Sequence, residues 1–150
     1  MLSLPFRIAV SMLVVSLAIP LCVQSLCDGN MEVSRRVATE IAQEISNTAR
    51  ELSLRPVGES RLMSIGDCLS QLDPGMSVVV GSLLGEDNYS IIRCSDGRGW
   101  SRVVSVDLSP LVKGFCSPGS IPLTIGRDSG DLLISHSRNQ IGEIIQIGEL

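Results

Sequence analysis

The chain has 150 residues, 44% hydrophobic and 19% charged, a length that usually forms one domain or two small ones. Twelve Lys and Arg residues against sixteen Asp and Glu residues give a net charge of −4. This balance, without a basic run, argues against a nucleic-acid partner, which needs a positive surface. Aromatic residues make up only 3% of the chain, so we predict an aliphatic core.

The amino-terminal segment has the composition of a secretory signal. Arg7 is followed by the uncharged run Ile8–Val23. This run is shorter than the roughly 20 apolar residues that span a membrane, and Pro20 would disturb a spanning helix. We therefore predict a signal peptide over residues 1–25, cleaved after Ser25, with no membrane span left in the mature chain. The alternative is an uncleaved anchor.

Four of the five cysteines would remain after this cleavage. Export to an oxidising compartment favours disulfides, but four cysteines allow three pairings and their spacing does not choose among them. A zinc or redox-active site is disfavoured because no C-x-x-C pair occurs and His136 is the only histidine. The four cysteines of the mature chain are Cys27, Cys68, Cys94 and Cys116.

An amphipathic helix is predicted from about residue 31 to residue 52. Asn30 is a plausible N-cap, and Pro56 prevents continuation of the helix. Its apolar face is expected to pack on a sheet of the same domain, the alternative being a partner-binding helix. The apolar residues that recur every four positions are Val33, Val37, Ile41 and Ile45.

After Pro56 the pattern changes to short β-rich runs, which we interpret as strands. Between Asn88 and Leu108 the short loop around Gly97 predicts a hairpin. The predicted strands are Arg61–Ile65, Met76–Leu84, Asn88–Cys94, Trp100–Leu108, Ile121–Ile125, Leu132–Ser135 and Ile141–Ile147.

Gly, Pro, Asn and Asp clusters separate the strands, as turn residues do. A break near Ser109–Pro110 divides the predicted mature chain into a helix-plus-sheet domain, 26–109, and a short β-rich tail, 110–150. The predicted fold class is therefore α+β, with an amphipathic helix on an antiparallel sheet followed by a small all-β tail. The turn clusters are Asp73–Gly75, Gly85–Asp87, Ser95–Gly99 and Ser117–Gly119.

No residue pattern indicates catalysis. A Ser/His/Asp or Cys/His arrangement would have to use His136, which lies at a predicted strand end and is interpreted as a surface histidine. The sequence contains no G-x-S-x-G and no glycine-rich phosphate loop, and its carboxylates are dispersed. We predict a protein that is not an enzyme, with no catalytic residues, no cofactor and no metal.

Several motifs occur in a characteristic order. They are Arg61–Cys68, then Leu72–Gly75, then Ile91–Cys94, then Gly99–Trp100 at the start of a Val-rich strand. Over Glu32–Leu108 this order resembles the flagellar basal-body P-ring formation (FlgA) family. Members typically have a signal peptide, an amino-terminal helix, a cysteine-ended strand, a Pro-Gly turn, a second cysteine-bearing strand and a Trp that opens the next strand.

The resemblance implies three structural features. Cys68 and Cys94 would form a disulfide, Trp100 would pack in the same sheet, and a shortened SAF-like β-clip tail would follow. Part of the tail resembles the family's G-x-x-L-T-x-x-D turn, with both spacings longer by one. The residues that carry this second likeness are Pro118–Gly119, Leu123–Thr124 and Asp128.

The same resemblance implies a function. The protein would be a periplasmic assembly chaperone that binds P-ring subunits while they polymerise around the flagellar rod. One alternative is another exported envelope interaction protein, such as a pilus or secretion-system accessory subunit. Another is a small secreted enzyme, in which a second polar cluster would have to converge on His136 in a pocket.

Overall fold

A computed structural model describes residues 4–81, 90–116, 122–140 and 142–150. The chain divides into two compact units, Met1–Glu32 and Val33–Leu150, and each is described by itself. The predicted turns at Gly85–Asp87 and Ser117–Gly119 lie outside the described residues.

The first unit consists of the amino-terminal part of helix α1, Leu4–Ser53, which contains Pro20. An 18-residue window in α1 has a mean hydropathy of 2.2, and none of that window is buried. Such a segment is compatible with a signal sequence or with a membrane anchor. The predicted N-cap at Asn30 is wrong, because the apolar segment before it is also helical and α1 runs through Asn30. Cleavage after Ser25 stays a prediction.

In the second unit the predicted apolar face of α1 is largely confirmed. Val37, Ile41 and Ile45 are buried, whereas Val33 is 50% exposed and its predicted burial is wrong. At this turn the neighbouring Ser34 is buried instead, and its hydroxyl accepts a hydrogen bond from the backbone N–H of Asp73 at 2.8 Å. The hydrophobic contact of the helix therefore begins one turn later than the sequence period indicates.

Each of the seven predicted strands overlaps one observed strand, although their limits differ by up to four residues. The predicted strand Leu132–Ser135, for example, continues to Asn139. Strand β5, Val112–Cys116, and the one-turn helix α2, Gly66–Leu69, were not predicted. The strands are β1 Ser60–Met63, β2 Ser77–Val80, β3 Ile91–Ser95, β4 Ser101–Ser105, β5 Val112–Cys116, β6 Leu123–Ile125, β7 Leu132–Asn139 and β8 Gly142–Glu149.

The strands form two four-stranded sheets. Sheet 1 has the order β1-β7-β8-β5, and sheet 2 has the order β4-β3-β2-β6. All pairings are antiparallel except β5 with β8. The predicted α+β class is confirmed, and so is the β3–β4 hairpin, in which Ser95 pairs with Ser101.

The predicted division at 109/110 does not separate two units. Strand β1 pairs with β7, and β2 pairs with β6, so strands from both sides of this point build both sheets. Residues Val33–Leu150 accordingly form one compact unit. The physical reason is that short strands such as β1 and β6 gain hydrogen-bond partners only across the predicted boundary. An independent tail is therefore not formed.

The core of the second unit is aliphatic, as predicted. Helix α1 meets the inner face of sheet 2, where the Cys94 thiol lies 3.5 Å from the Ala38 carbonyl oxygen and donates to it. The largest side chains that are fully buried are Ile41, Ile45, Ile65, Leu69, Leu72, Met76, Ile92, Ile125, Leu132, Ile134, Ile145 and Ile147.

Candidate functional site

The β3–β4 hairpin is organised around one buried carboxylate, Asp96. Its Oδ1 accepts backbone hydrogen bonds from Arg98 at 2.8 Å and Trp100 at 3.0 Å. Gly97 and Gly99 adopt φ values of 68° and 112°, a region that side chains other than glycine rarely occupy. The loop is therefore fixed by an aspartate that caps its backbone and by two glycines that permit its path.

The same carboxylate fastens the hairpin to helix α1. The Arg35 guanidinium donates to Asp96 Oδ2 from Nη2 at 2.6 Å and from Nε at 3.2 Å. Arg35 also lies over Trp100, with 5.5 Å between its Cζ and the ring centroid, a cation–π contact. Hydrogen bonds from Arg35 and from the Arg98 backbone hold the pKa of the Asp96 carboxyl below its usual value. The hairpin is thus fixed on α1 by an ionic and aromatic contact.

Trp100 immediately precedes β4, is half-buried and donates its backbone N–H to Asp96 Oδ1. Its packing in the sheet, which the resemblance implied, stays a prediction. Sequence reasoning missed Arg35 and Asp96 as a pair. Asp96 was identified only as part of a turn, although its position in Asp-Gly-x-Gly is typical of a side chain that caps its own loop. The contact across 61 residues left no local signal.

The solvent-exposed surface of the hairpin is basic, although the whole chain is acidic. Residues 90–106 contain three arginines and one aspartate, against a net charge of −4 for the chain. The aspartate is already paired with Arg35. Arg93, Arg98 and Arg102 are exposed, and none of them forms an ion pair with any residue that the structure describes. Among the residues that the structure describes, these three positive charges of the hairpin have no acidic partner.

Strand β4 is an edge of sheet 2, and one of its sides pairs with no described strand. The Asp96 N–H donates to the Trp100 carbonyl at 3.2 Å, and the Val106 N–H donates to the Ser90 carbonyl at 2.8 Å. In an antiparallel ladder the hydrogen-bonded pairs alternate, so the even-numbered residues of β4 bond to β3. The N–H and C=O groups of Ser101, Val103 and Ser105 consequently point to the open side.

The predicted Cys68–Cys94 disulfide is not formed in the structure. Cys68 is a free, exposed cysteine on α2, whereas Cys94 is a free, buried cysteine on β3. The Cys94 thiol faces the helix through its bond to Ala38, and burial raises its pKa. The two sulfurs thus lie in different environments, one in solvent and one under α1. The Cys116 side chain lies outside the described residues.

His136 is buried, contrary to the prediction of a surface histidine. Only 2% of the residue is exposed. Strand β7 continues to Asn139, beyond the predicted end at Ser135, so the inward alternation of Leu132 and Ile134 includes His136. An extension of that period by one step would have placed the ring inside.

The imidazole links the segment after α1 to sheet 1. Its Nδ1 lies 2.8 Å from the Arg55 carbonyl oxygen, which can only accept, so Nδ1 donates. The other nitrogen, Nε2, lies 3.5 Å from Glu143 Oε2 and makes no hydrogen bond with a described residue. Glu143 also pairs with Arg138 at 2.6 Å, and this contact lowers its pKa. A polar cluster therefore converges on His136, but around a ring that solvent does not reach.

The described residues of the stretch that resembles the G-x-x-L-T-x-x-D turn lie on β6 and in the turn after it. Thr124 and Asp128 line an open hollow together with Pro74, Arg127 and Glu149. Within the described ranges, no three or more His, Cys, Asp or Glu side chains are grouped so that they could hold a metal ion.

Comparison with known protein families, with curated proteins and with solved structures finds no match.

Proposed function

We propose that this chain is an exported assembly factor that binds a protein subunit and is not an enzyme. In its specific form the proposal is a periplasmic chaperone of the flagellar P-ring, with the ring subunit as its partner and no cofactor. The motif order of Glu32–Leu108 and the apolar amino-terminal part of α1 support it. A SAF-like character of the carboxy-terminal strands belongs to the same proposal.

The single observation that carries the proposal is the open edge of β4 on a hairpin that is fixed to α1. Edge strands with free N–H and C=O groups pair readily with strands from other chains. Val103, in the middle of β4, is 52% exposed. Such a surface would allow an assembly factor to occupy a subunit's β-edge until the ring closes.

The alternative of a small secreted enzyme has one observation to examine, the cluster at His136. A general base must reach its substrate, yet this ring is buried and its Nδ1 is held by Arg55. The cluster is better explained as a structural link. The remaining alternative is that the chain is another exported envelope interaction protein, such as a pilus or secretion-system accessory subunit, since the β4 edge would serve such a protein equally.

The test uses the full chain, exported by a bacterial host, and the purified P-ring subunit from the same organism. We expect a complex on size-exclusion chromatography and slower aggregation of the subunit, followed by light scattering. The matched control is another exported protein of similar size and charge. A subunit that neither forms a complex nor changes its aggregation would contradict the proposal.

A further inference from the structure

The geometry points to an acidic, extended protein segment as the partner that adds to the β4 edge as a new strand. This inference rests on the proposed function, since it names the chemistry that the bound subunit must present. It is carried by the open backbone groups of β4 and by the charges of the hairpin around them.

The backbone of β4 sets the mode of binding. Ser101, Val103 and Ser105 direct their N–H and C=O groups to the side that no described strand occupies. An incoming strand can bond to these groups without breaking any bond between β3 and β4. Since main-chain bonds supply affinity in strand addition and side chains supply selectivity, the next question is which side chains face the incoming strand.

Two neighbouring residues of β4 determine which side chains the partner strand should carry. Arg102 is exposed at the strand edge and lies on the inner side with Cys94, its register partner. Val103 lies on the outer side with Arg93 and is half exposed. Directly opposite cross-strand pairs are favoured when they are oppositely charged or both apolar. The partner strand should therefore alternate carboxylates, facing Arg102, with apolar residues, facing Val103.

The arginines also argue against a second copy of this chain as the occupant. Two copies paired through β4 would bring together two hairpins that each carry Arg93, Arg98 and Arg102. Their like charges repel, and charged residues at an edge commonly prevent self-pairing. The same charges attract an acidic segment over about 8 to 10 Å at physiological salt. Self-association is thus disfavoured by the feature that favours the acidic partner.

The test measures binding of a short peptide of alternating Glu and Val to the full chain, by fluorescence anisotropy. Two control peptides are used: one with Lys in place of Glu, and one with the same acidic sequence and alternate amides N-methylated. We expect only the unmodified acidic peptide to bind. Equal binding of the Lys peptide would overturn the charge argument, and equal binding of the methylated peptide would overturn strand addition. No binding by any peptide would also overturn the inference.

Two variants locate the binding on β4. Val103→Pro removes an N–H that points to the open side and leaves the bonds between β3 and β4 in place, while Val103→Ala keeps that N–H. We expect Val103→Pro to bind the acidic peptide at least about tenfold more weakly than Val103→Ala does. Arg102→Glu leaves the backbone unchanged, so it tests the inference even if the proline variant does not fold. It should weaken binding of the acidic peptide roughly fivefold. Unchanged binding in Arg102→Glu, or in a folded Val103→Pro, contradicts the inference.

Other occupants give distinguishable results. Vesicles of anionic phosphatidylglycerol that bind the chain with the same Val103→Pro dependence would identify a membrane surface and overturn a strand partner. A dimer that Val103→Pro dissolves would identify a second copy. If the P-ring subunit binds Val103→Pro and Val103→Ala equally, this inference fails and the proposed function stands. If the acidic peptide binds at β4 and the P-ring subunit does not bind the chain, the proposed function fails alone.

Discussion

The β3–β4 and β7–β8 hairpins of the second unit differ in whether their charges are paired within the fold. In the β7–β8 hairpin, Arg138 pairs with Glu143, and Glu143 also faces the buried His136. In the β3–β4 hairpin the aspartate is paired with Arg35, whereas three exposed arginines contact no acidic group that the structure describes. Charges that neutralise one another within a fold serve stability. Those left on an open strand edge are available to a partner.

The largest expected difference concerns thiol reactivity. Cys94 is buried under α1 with a raised pKa, and Cys68 is exposed. Since the thiolate is the reactive form, we expect a maleimide to label Cys68 in the native protein at least about 100-fold faster than Cys94. Mass spectrometry of labelled peptides measures this ratio. If Cys68 stays protected until reductant is added, it is held in a disulfide and the pairing implied by the family resemblance regains support.

The next largest effect tests how firmly the β3–β4 hairpin is fixed. Asp96→Ala removes the acceptor of Arg35 and of two backbone N–H groups. We expect the thermal midpoint to fall by roughly 5 to 15 °C. Asp96→Asn is the matched control, because its carbonyl oxygen can still accept the loop hydrogen bonds. Its thermal midpoint should lie between those of Asp96→Ala and the native protein. Equal melting of all three proteins would show that the carboxylate does not hold the hairpin.

The corresponding test in the other hairpin concerns His136. His136→Leu leaves the Arg55 carbonyl without its donor and should destabilise the fold by about 1 to 3 kcal/mol in urea denaturation. His136→Asn places an amide donor near the position of Nδ1 and should recover part of this loss. A leucine variant as stable as the native protein would mean that the ring is not a structural link.

A smaller effect is expected from acid. The pKa values of Asp96 and Glu143 are lowered by Arg35 and Arg138 respectively. A carboxyl group with a lowered pKa stabilises the fold at pH values above its pKa in the unfolded chain, about 3.9 for Asp and 4.3 for Glu. This stabilisation is lost as the pH falls through the pKa of the folded state. The thermal midpoint should therefore be nearly constant from pH 7 to about pH 5 and fall below about pH 4.

Variants that remove the basic partners sharpen this test. Arg35→Gln and Arg138→Gln should each make the midpoint less sensitive to acid by a few degrees, because the carboxyl pKa then returns toward its ordinary value. An acid response identical to that of the native protein in both variants would contradict the assigned ion pairs.

The sequence predicted what depends on local periodicity. The four-residue recurrence of Val37, Ile41 and Ile45 indicated the buried helix face, and the turn around Gly97 indicated the β3–β4 hairpin. It did not predict the one-turn helix α2 or the short strand β5. Strand β5 contains Gly114 and an irregular pairing with β8, so its alternation is interrupted.

Features that depend on distant parts of the chain were not predicted. The boundary at 109/110 followed from turn residues, whereas the pairing of β1 with β7 joins segments about seventy residues apart, at Ser60 and Ser135 for example. The contact of Arg35 with Asp96 is of the same kind. The burial of His136 depends on local alternation, but the predicted strand ends at Ser135, one residue before it.

The central claim, that β4 is a free edge that receives a partner strand, is tested most directly by amide hydrogen exchange followed by NMR. In the free protein the Val103 amide should exchange at least about 100-fold faster than those of Arg102 and Val104, which bond to β3. On addition of the P-ring subunit the Val103 amide should become as slow as its neighbours. A Val103 amide that is already slow in the free protein, or that stays fast in a formed complex, would contradict the account.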